Sequence, residues 1–181
     1  MKIRRKINIA CVIALHLLFS NYALATIMPE LSIEEMTKRS SLVIVGKVES
    51  VTGKWNAENT TILTHAIISP KTFLIGNSEK DLLVIELLGG TVDSLTTTAV
   101  GEASLNSGEE VVLFLTQNTK GQSESYRIVG HAQGKFRIIK SHETNRMLVE
   151  RDLNGINFIS NQSSSIPKYF DDLVEQIKNL K

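Results

Sequence analysis

Histidine is the side chain in this sequence best suited to acid–base or metal chemistry. Beyond residue 25 there are three histidines, His65, His131 and His142. None lies in an HExxH motif or at another paired ligand spacing, so no metal site is predicted. His65 and His131 are in phase with neighbouring strand residues, which favours histidines on strand faces. A hydrolytic site built on them would require the fold to bring their strands together.

The other short motifs that could carry chemistry are incomplete. Residues 165–168 match S-x-x-K, but the companion motifs of penicillin-recognising enzymes are missing. Residues 152–155 have part of a calcium loop and lack its later acidic ligand. The sequence contains no G-x-S-x-G motif and no phosphate-binding or dinucleotide-binding glycine motif. We therefore expect neither a catalytic site nor a cofactor.

Two polar loops hold the residues best suited to recognition of a partner. Trp55 is the only tryptophan and lies among polar residues. Aromatic side chains are enriched at recognition surfaces. The alternative is that the indole covers one end of the fold. The predicted binding rim consists of Trp55, Asn56, Glu58, Asn59, Asn118, Lys120 and Gln122.

Residues 1–25 are typical of a secretory signal peptide. Four basic residues precede the apolar run Ile9–Phe19, and the segment ends in an A-x-A cleavage site at Ala25. The run is shorter than the roughly 20 residues that span a bilayer. We expect cleavage after Ala25, a periplasmic or secreted protein, and no membrane insertion after cleavage. The single cysteine, Cys11, leaves with the signal, which excludes disulfides and thiolate metal sites.

The exported part of the chain is mildly acidic. It has 181 − 25 = 156 residues, a normal size for one domain. Loss of four of the 20 Lys and Arg residues leaves 16 against 19 Asp and Glu, a formal charge of −3. Nucleic-acid binding needs clustered positive charge. We therefore expect a single domain, residues 26–181, without a nucleic-acid partner.

Apolar runs bounded by turn residues predict about seven short strands. The central hairpin joins Val111–Leu115 to Tyr126–Ala132. Leu42–Val51 is apolar in both phases at its start, which predicts burial on both faces there. Thr60–Leu74 is a long strand in which Pro70 marks a bulge or an edge. Further strands are predicted at Leu82–Leu88 and Lys135–Lys140, and a long loop is predicted at Thr91–Ser107.

Helices are predicted at both ends of the exported chain. Ser32 and Glu35 match a capping box that opens a short helix. At the other end, apolar residues recur at helical spacing over 166–180, with Ser165 as the candidate cap. This apolar stripe is expected to pack on the rest of the fold. Residues 145–160 are predicted to form an additional hairpin with its turn at Asn154-Gly155.

Together these elements predict a mainly β fold. We expect an OB-like antiparallel barrel, closed or partly open, over about residues 41–140, with the short N-terminal helix and the amphipathic C-terminal helix added to it. In OB-type barrels, ligands meet the loops between strands 1 and 2 and between strands 4 and 5. The predicted binding rim lies in these two loops.

Three segments carry a resemblance to known proteins: SLVIVGKV at residues 41–48, FLIG at 73–76 and GEEVVLFL at 108–115. They resemble a family of uncharacterised exported bacterial proteins over nearly all of the exported chain. The order of elements is also distantly similar to the netrin-like domain of tissue inhibitors of metalloproteinases, an OB-type barrel. This implies a netrin-like fold that binds a partner. Those inhibitors place an N-terminal cysteine on the protease zinc, and that mechanism does not carry over to a chain without the cysteine.

We expect a non-catalytic binding module of the cell envelope. Its partner would be an exported protein such as a protease, and protease inhibition is one form this binding could take. One alternative is a hydrolase with an unrecognised site near His65 or His131. Another is a structural envelope component whose C-terminal stripe, Ile166–Leu180, docks on a partner instead of on its own barrel.

Overall fold

The computed structural model describes residues 26–119, 124–141, 143–159 and 165–180. The helices within these ranges are α1 (Ile33–Arg39) and α2 (Phe170–Asn179), together with a 3-10 turn at His131–Gly134. The strands are β1 (Thr26–Met28), β2 (Leu42–Trp55), β3 (Ile62–Ile75), β4 (Leu83–Leu88), β5 (Gly90–Val92), β6 (Leu95–Thr97), β7 (Glu110–Gln117), β8 (Tyr126–Ile128), β9 (Lys135–Lys140), β10 (Met147–Glu150) and β11 (Ile156–Phe158).

Five strands close a barrel. β2 pairs antiparallel with β3 on one side and with β7 on the other, and β3 pairs antiparallel with β4. β8 closes the ring because it pairs antiparallel with β7 and meets β4 in parallel at Ile85 and Tyr126. This strand order, with a parallel contact between the third and fifth barrel strands, is OB-like. The predicted fold class is confirmed.

Strand β2 has apolar residues on both faces because each face covers a separate core. Leu42, Ile44 and Val48 point into the barrel and belong to its inner cluster. Val43 belongs to a second cluster, which lies outside the barrel beneath the helices. Pro70 faces Gly46 at a register shift between β2 and β3, so the predicted bulge is present.

The second cluster holds both helices against the outer surface of the sheet. The Ser32 side chain accepts a hydrogen bond from the Glu35 amide at 3.2 Å, and Glu35 Oε2 accepts from the Ser32 amide at 2.9 Å, so the capping box is present. In α2, Leu173 and Ile177 are fully buried. The apolar stripe therefore packs on the barrel of its own chain. This finding contradicts the alternative in which the stripe docks on a partner.

The start of the C-terminal helix differs from the prediction. α2 begins at Phe170, after Tyr169 as its N-cap, and not at Ser165 or Ile166. Lys168 accepts a hydrogen bond from the Val149 amide, and Tyr169 forms a β-bridge with Leu148. The residues before α2 are therefore extended, because their backbone groups pair with the edge of β10.

The prediction of an additional hairpin over residues 145–160 is wrong. β10 pairs with β9, whereas β11 pairs in parallel with β1. The chain does turn at Gly155, which has a φ of 77°. The strands on each side of this turn find other partners, and local turn residues cannot reveal such distant pairing.

Two more predictions are corrected between residues 91 and 132. The long loop Thr91–Ser107 contains part of the small antiparallel hairpin formed by β5 and β6. The predicted strand Tyr126–Ala132 ends at Ile128, because Gly130 and His131 adopt left-handed φ angles of 69° and 56° and the chain enters the 3-10 turn. In the part of the chain described here, no helix is both long and apolar enough to cross a bilayer.

Candidate functional site

The first half of the predicted rim is a hydrogen-bonded turn between the end of β2 and the start of β3. Trp55 is the last residue of β2 and pairs with Ile62, so it lies in a strand and not in the predicted loop. Asn56 closes the turn, since its Oδ1 accepts hydrogen bonds from the amides of Thr60 at 2.8 Å and Thr61 at 3.1 Å. Asn59 has a φ of 54°, a left-handed conformation that asparagine tolerates better than most residues. Both asparagines thus shape the turn.

The Trp55 side chain is partly buried and partly exposed to solvent. Its exposed fraction is 40%, whereas Ile62, its partner on the same side of the two strands, is 1% exposed. Val51 lies on this side as well, because side chains four residues apart in a strand point the same way, and it is 36% exposed. Glu58, at the tip of the turn, is exposed. This side of the hairpin therefore offers apolar surface beside a polar turn.

The second half of the rim is organised differently. Asn118 is buried, and its Nδ2 donates to Glu86 Oε1 at 2.9 Å and to Ser125 Oγ at 3.1 Å. Its role is to close the β7–β8 loop and to hold Glu86. Glu124, also in this loop, forms an ion pair with Lys80. Lys120 and Gln122 lie outside the described residues.

The two halves face opposite sides of the sheet. Trp55 lies on the side of Ile62, at the inner face of the barrel wall. Asn118 binds Glu86, which pairs with His65 on the outer face. Ile62 and His65 are three residues apart on one strand, so their side chains point in opposite directions. The structure therefore does not bring Trp55 and Asn118 into one continuous rim.

The outer face carries a polar cluster that converges on Glu86. The Glu86 side chain is only 10% exposed. Its Oε1 accepts from Arg127 Nη2 at 3.0 Å, in addition to Asn118, and its Oε2 lies 3.8 Å from His65 Nε2. Each partner comes from or follows a different strand of the barrel. A carboxylate with this degree of burial needs such partners, because an unpaired buried charge is costly.

A second carboxylate lies nearby and is paired with His131. Glu102 is 10% exposed, and it accepts hydrogen bonds from the amides of Ala103 at 3.0 Å and Leu88 at 3.3 Å. His131 Nδ1 lies 3.2 Å from Glu102 Oε2. This hydrogen bond raises the pKa of His131, and partial burial opposes the rise to a smaller extent. His131 is thus held in a turn by a carboxylate and does not lie on the predicted strand face.

The fold brings the two carboxylates to one small cavity. Its volume is about 40 Å³, and its lining includes Glu86, Glu102, Arg127 and His131. His65 is not part of this lining but contacts Glu86, so both histidines pair with carboxylates that border the cavity. A cavity of this size holds about one or two water molecules and no larger ligand. Within the described ranges, no group of acidic, histidine or cysteine side chains is arranged to hold a metal ion.

Glu86 and Glu102 were missed by sequence reasoning for different reasons. Glu86 is the one charged residue in the apolar run Leu83–Leu88, and a lone carboxylate in a strand of this kind signals a partner across the sheet. Glu102 lies in a segment of small residues without periodicity, where no local pattern indicates that its side chain is buried. No protein-family model matches the chain, and a search of curated proteins finds no match.

Proposed function

We propose that this protein is an exported, non-catalytic binding module that engages a protein partner through the Trp55 side of the β2–β3 hairpin. The observation that carries the proposal is a 40% exposed tryptophan at the end of a 14-residue strand. Large aromatic residues dominate the binding free energy of many protein interfaces. Export is inferred from the signal-like residues 1–25.

The geometry of the turn supports this assignment. Trp55 is fixed by backbone pairing with Ile62, and the turn that follows is closed by the side chain of Asn56. A rigid strand end loses little conformational entropy when it binds, which favours affinity. Val51 adds a second exposed apolar side chain on the same side. The surface is therefore ready for a partner without rearrangement of the barrel.

The class of partner follows from export and from the resemblance to netrin-like inhibitors. An exported protein, such as a protease, is the partner that this combination favours. The protein has no cysteine after residue 25, so inhibition would have to use contacts other than a cysteine amine on the catalytic zinc. A barrel end that blocks access to a protease cleft needs only shape and apolar contact.

Pull-down from cell-envelope extracts tests the proposal. Trp55→Ala should reduce recovery of a partner at least tenfold, because truncation of a central interface tryptophan costs about 2 kcal/mol or more. Leu82→Ala is the matched control, since Leu82 is 51% exposed and lies outside the hairpin. Equal recovery of every partner by wild type and Trp55→Ala would remove this surface as the binding site.

A hydrolase is the second candidate, favoured by two histidine–carboxylate pairs whose carboxylates, Glu86 and Glu102, line one cavity. A histidine oriented by a carboxylate is a common general base. Panels of ester, peptide and glycoside substrates compared among wild type, His65→Ala and His131→Ala test this role. If the protein is a hydrolase that uses these histidines, the wild type should turn over one of the substrates, and at least one of the substitutions should lower that turnover about 100-fold or more. Turnover unchanged by both substitutions would eliminate these histidines as catalytic.

A further inference from the structure

A larger cavity opens at the end of the barrel, next to Glu102. Its volume is about 290 Å³. For comparison, a cavity of roughly 150 Å³ accommodates benzene in another protein. Its lining is mixed. Six of the eleven side chains are apolar, namely Val51, Leu87, Leu88, Ala99, Ala103 and Leu105, and the other five are Thr64, Thr97, Thr98, Ser104 and Glu102. The cavity is therefore large enough for a small organic molecule that has both apolar and polar groups.

One wall of this cavity is the β5–β6 hairpin, which is fixed on the barrel by close backbone contacts. A Cβ atom on Gly53 would lie 2.0 Å from the Thr91 carbonyl oxygen, and a Cβ on Gly90 would lie 2.4 Å from Thr64 Oγ1. Only glycine allows such approaches. Thr64 also donates a hydrogen bond to the Gly89 carbonyl at 2.8 Å. These contacts hold the wall at a set distance from the barrel, so the cavity is preformed.

The charged group in the lining is Glu102, which also borders the smaller cavity beside His131. The amides of Ala103 and Leu88 orient its two oxygens. A carboxylate oxygen accepts two hydrogen bonds, and Oε1 has one protein donor, the Ala103 amide, within the described residues. Apolar side chains combined with a few placed polar groups are the usual form of a small-molecule site.

We propose that this cavity binds a small, mainly apolar amine, whose body contacts Leu87, Leu88 and Leu105 and whose ammonium group donates to Glu102. The ammonium supplies a second donor to Oε1, and its charge is opposite to that of the carboxylate. A charge-assisted hydrogen bond of this kind is about twice as strong as a neutral one. This site borders the Trp55 surface at Val51, and it extends the proposed binding role to a second class of ligand.

Titration of the purified, 15N-labelled protein with benzylamine, followed by NMR, tests the proposal. We expect saturable shifts of amide signals from residues 87–90 and 97–105, with a dissociation constant on the order of millimolar for so small a probe. Benzyl alcohol should bind more weakly because it lacks the positive charge. Toluene should bind more weakly still because it lacks both the charge and a hydrogen-bond donor. The absence of saturable shifts, or equal affinity for benzylamine and toluene, would overturn the proposal.

Matched variants identify the groups involved. Glu102→Gln removes the charge, and Ala99→Leu occupies part of the cavity while the charge is kept, so each should weaken benzylamine binding about tenfold or more. Glu79→Gln and Ala57→Leu make the same changes at exposed positions away from the cavity and should leave the affinity unchanged. Unchanged affinity in Ala99→Leu would contradict the site even if Glu102→Gln failed to fold. Trp55 is not part of the cavity lining, so Trp55→Ala should bind benzylamine normally although Val51 borders both surfaces.

Discussion

At the scale of single residues, the Lys135–Glu109 ion pair is the most buried opposite-charge contact in the described part of the chain. Lys135 Nζ lies 2.8 Å from Glu109 Oε2, and the two side chains are 11% and 14% exposed. They line a charged cavity of about 320 Å³ that Arg137 and Glu150 border as well. Asn106 adds two hydrogen bonds to Glu109, one from its amide and one from its side chain. These contacts fix the long connection before β7 against β9.

Acid should weaken the fold through Glu109. Burial alone would raise the pKa of this carboxyl, but the hydrogen bonds from Lys135 and Asn106 together outweigh burial and leave the pKa below its ordinary value of 4.5. A group whose pKa is lowered by folding stabilises the folded state above its unfolded pKa, and this contribution disappears as the pH falls through the folded pKa. Glu109→Gln should therefore cost about 1–3 kcal/mol at pH 7 and less at pH 3.

Urea unfolding of wild type and Glu109→Gln at both pH values measures this difference. Glu110→Gln is the control, because Glu110 pairs with Lys71 at the surface, where the two side chains are 44% and 49% exposed. Exposed ion pairs contribute about 0–1 kcal/mol. A cost for Glu109→Gln that stays constant from pH 7 to pH 3 would show that its ionisation does not stabilise the fold.

At the scale of elements, α2 completes the outer core and does not stand apart as an appendage. Leu173 and Ile177 are fully buried in the cluster that includes Phe114 and Phe136, whose ring centroids are 5.8 Å apart. Tyr169, just before the helix, is also fixed to β10 by a β-bridge. The helix therefore covers sheet surface that would otherwise be exposed to water.

Leu173→Ala tests this contribution to the core. Removal of a fully buried leucine side chain costs about 2–5 kcal/mol in most proteins, from lost burial and the cavity that remains. We expect a loss of this size in the free energy of unfolding, measured with urea. Glu175→Ala, on the exposed side of the same helix, should change stability by less than about 0.5 kcal/mol. A similar, small effect of both substitutions would mean that the helix does not stabilise the barrel.

At the scale of the whole molecule, the barrel was predictable from the sequence because it depends on patterns within single strands. Burial of β2 on both faces, the bulge at Pro70 and the apolar stripe of α2 each follow from side-chain periodicity. The parallel pairing of β1 with β11 was not predictable, since three residues in each strand carry no pattern that names a distant partner. For the same reason, local patterns could not place Glu102 against His131. Local patterns identified the candidate residues of the rim, but they did not indicate that Trp55 and Asn118 lie on opposite sides of the sheet.

The pairing of β1 with β11 also has a consequence for the order in which the structure forms. Thr26 donates its amide hydrogen to the Gly155 carbonyl and its hydroxyl to the Val100 carbonyl, and Gln133 binds the backbone of Leu31. All three partners are synthesised long after Thr26. Strand β1 therefore stays without its partners until almost the whole chain has emerged, and we expect it to be the last part of the fold to be fixed in place.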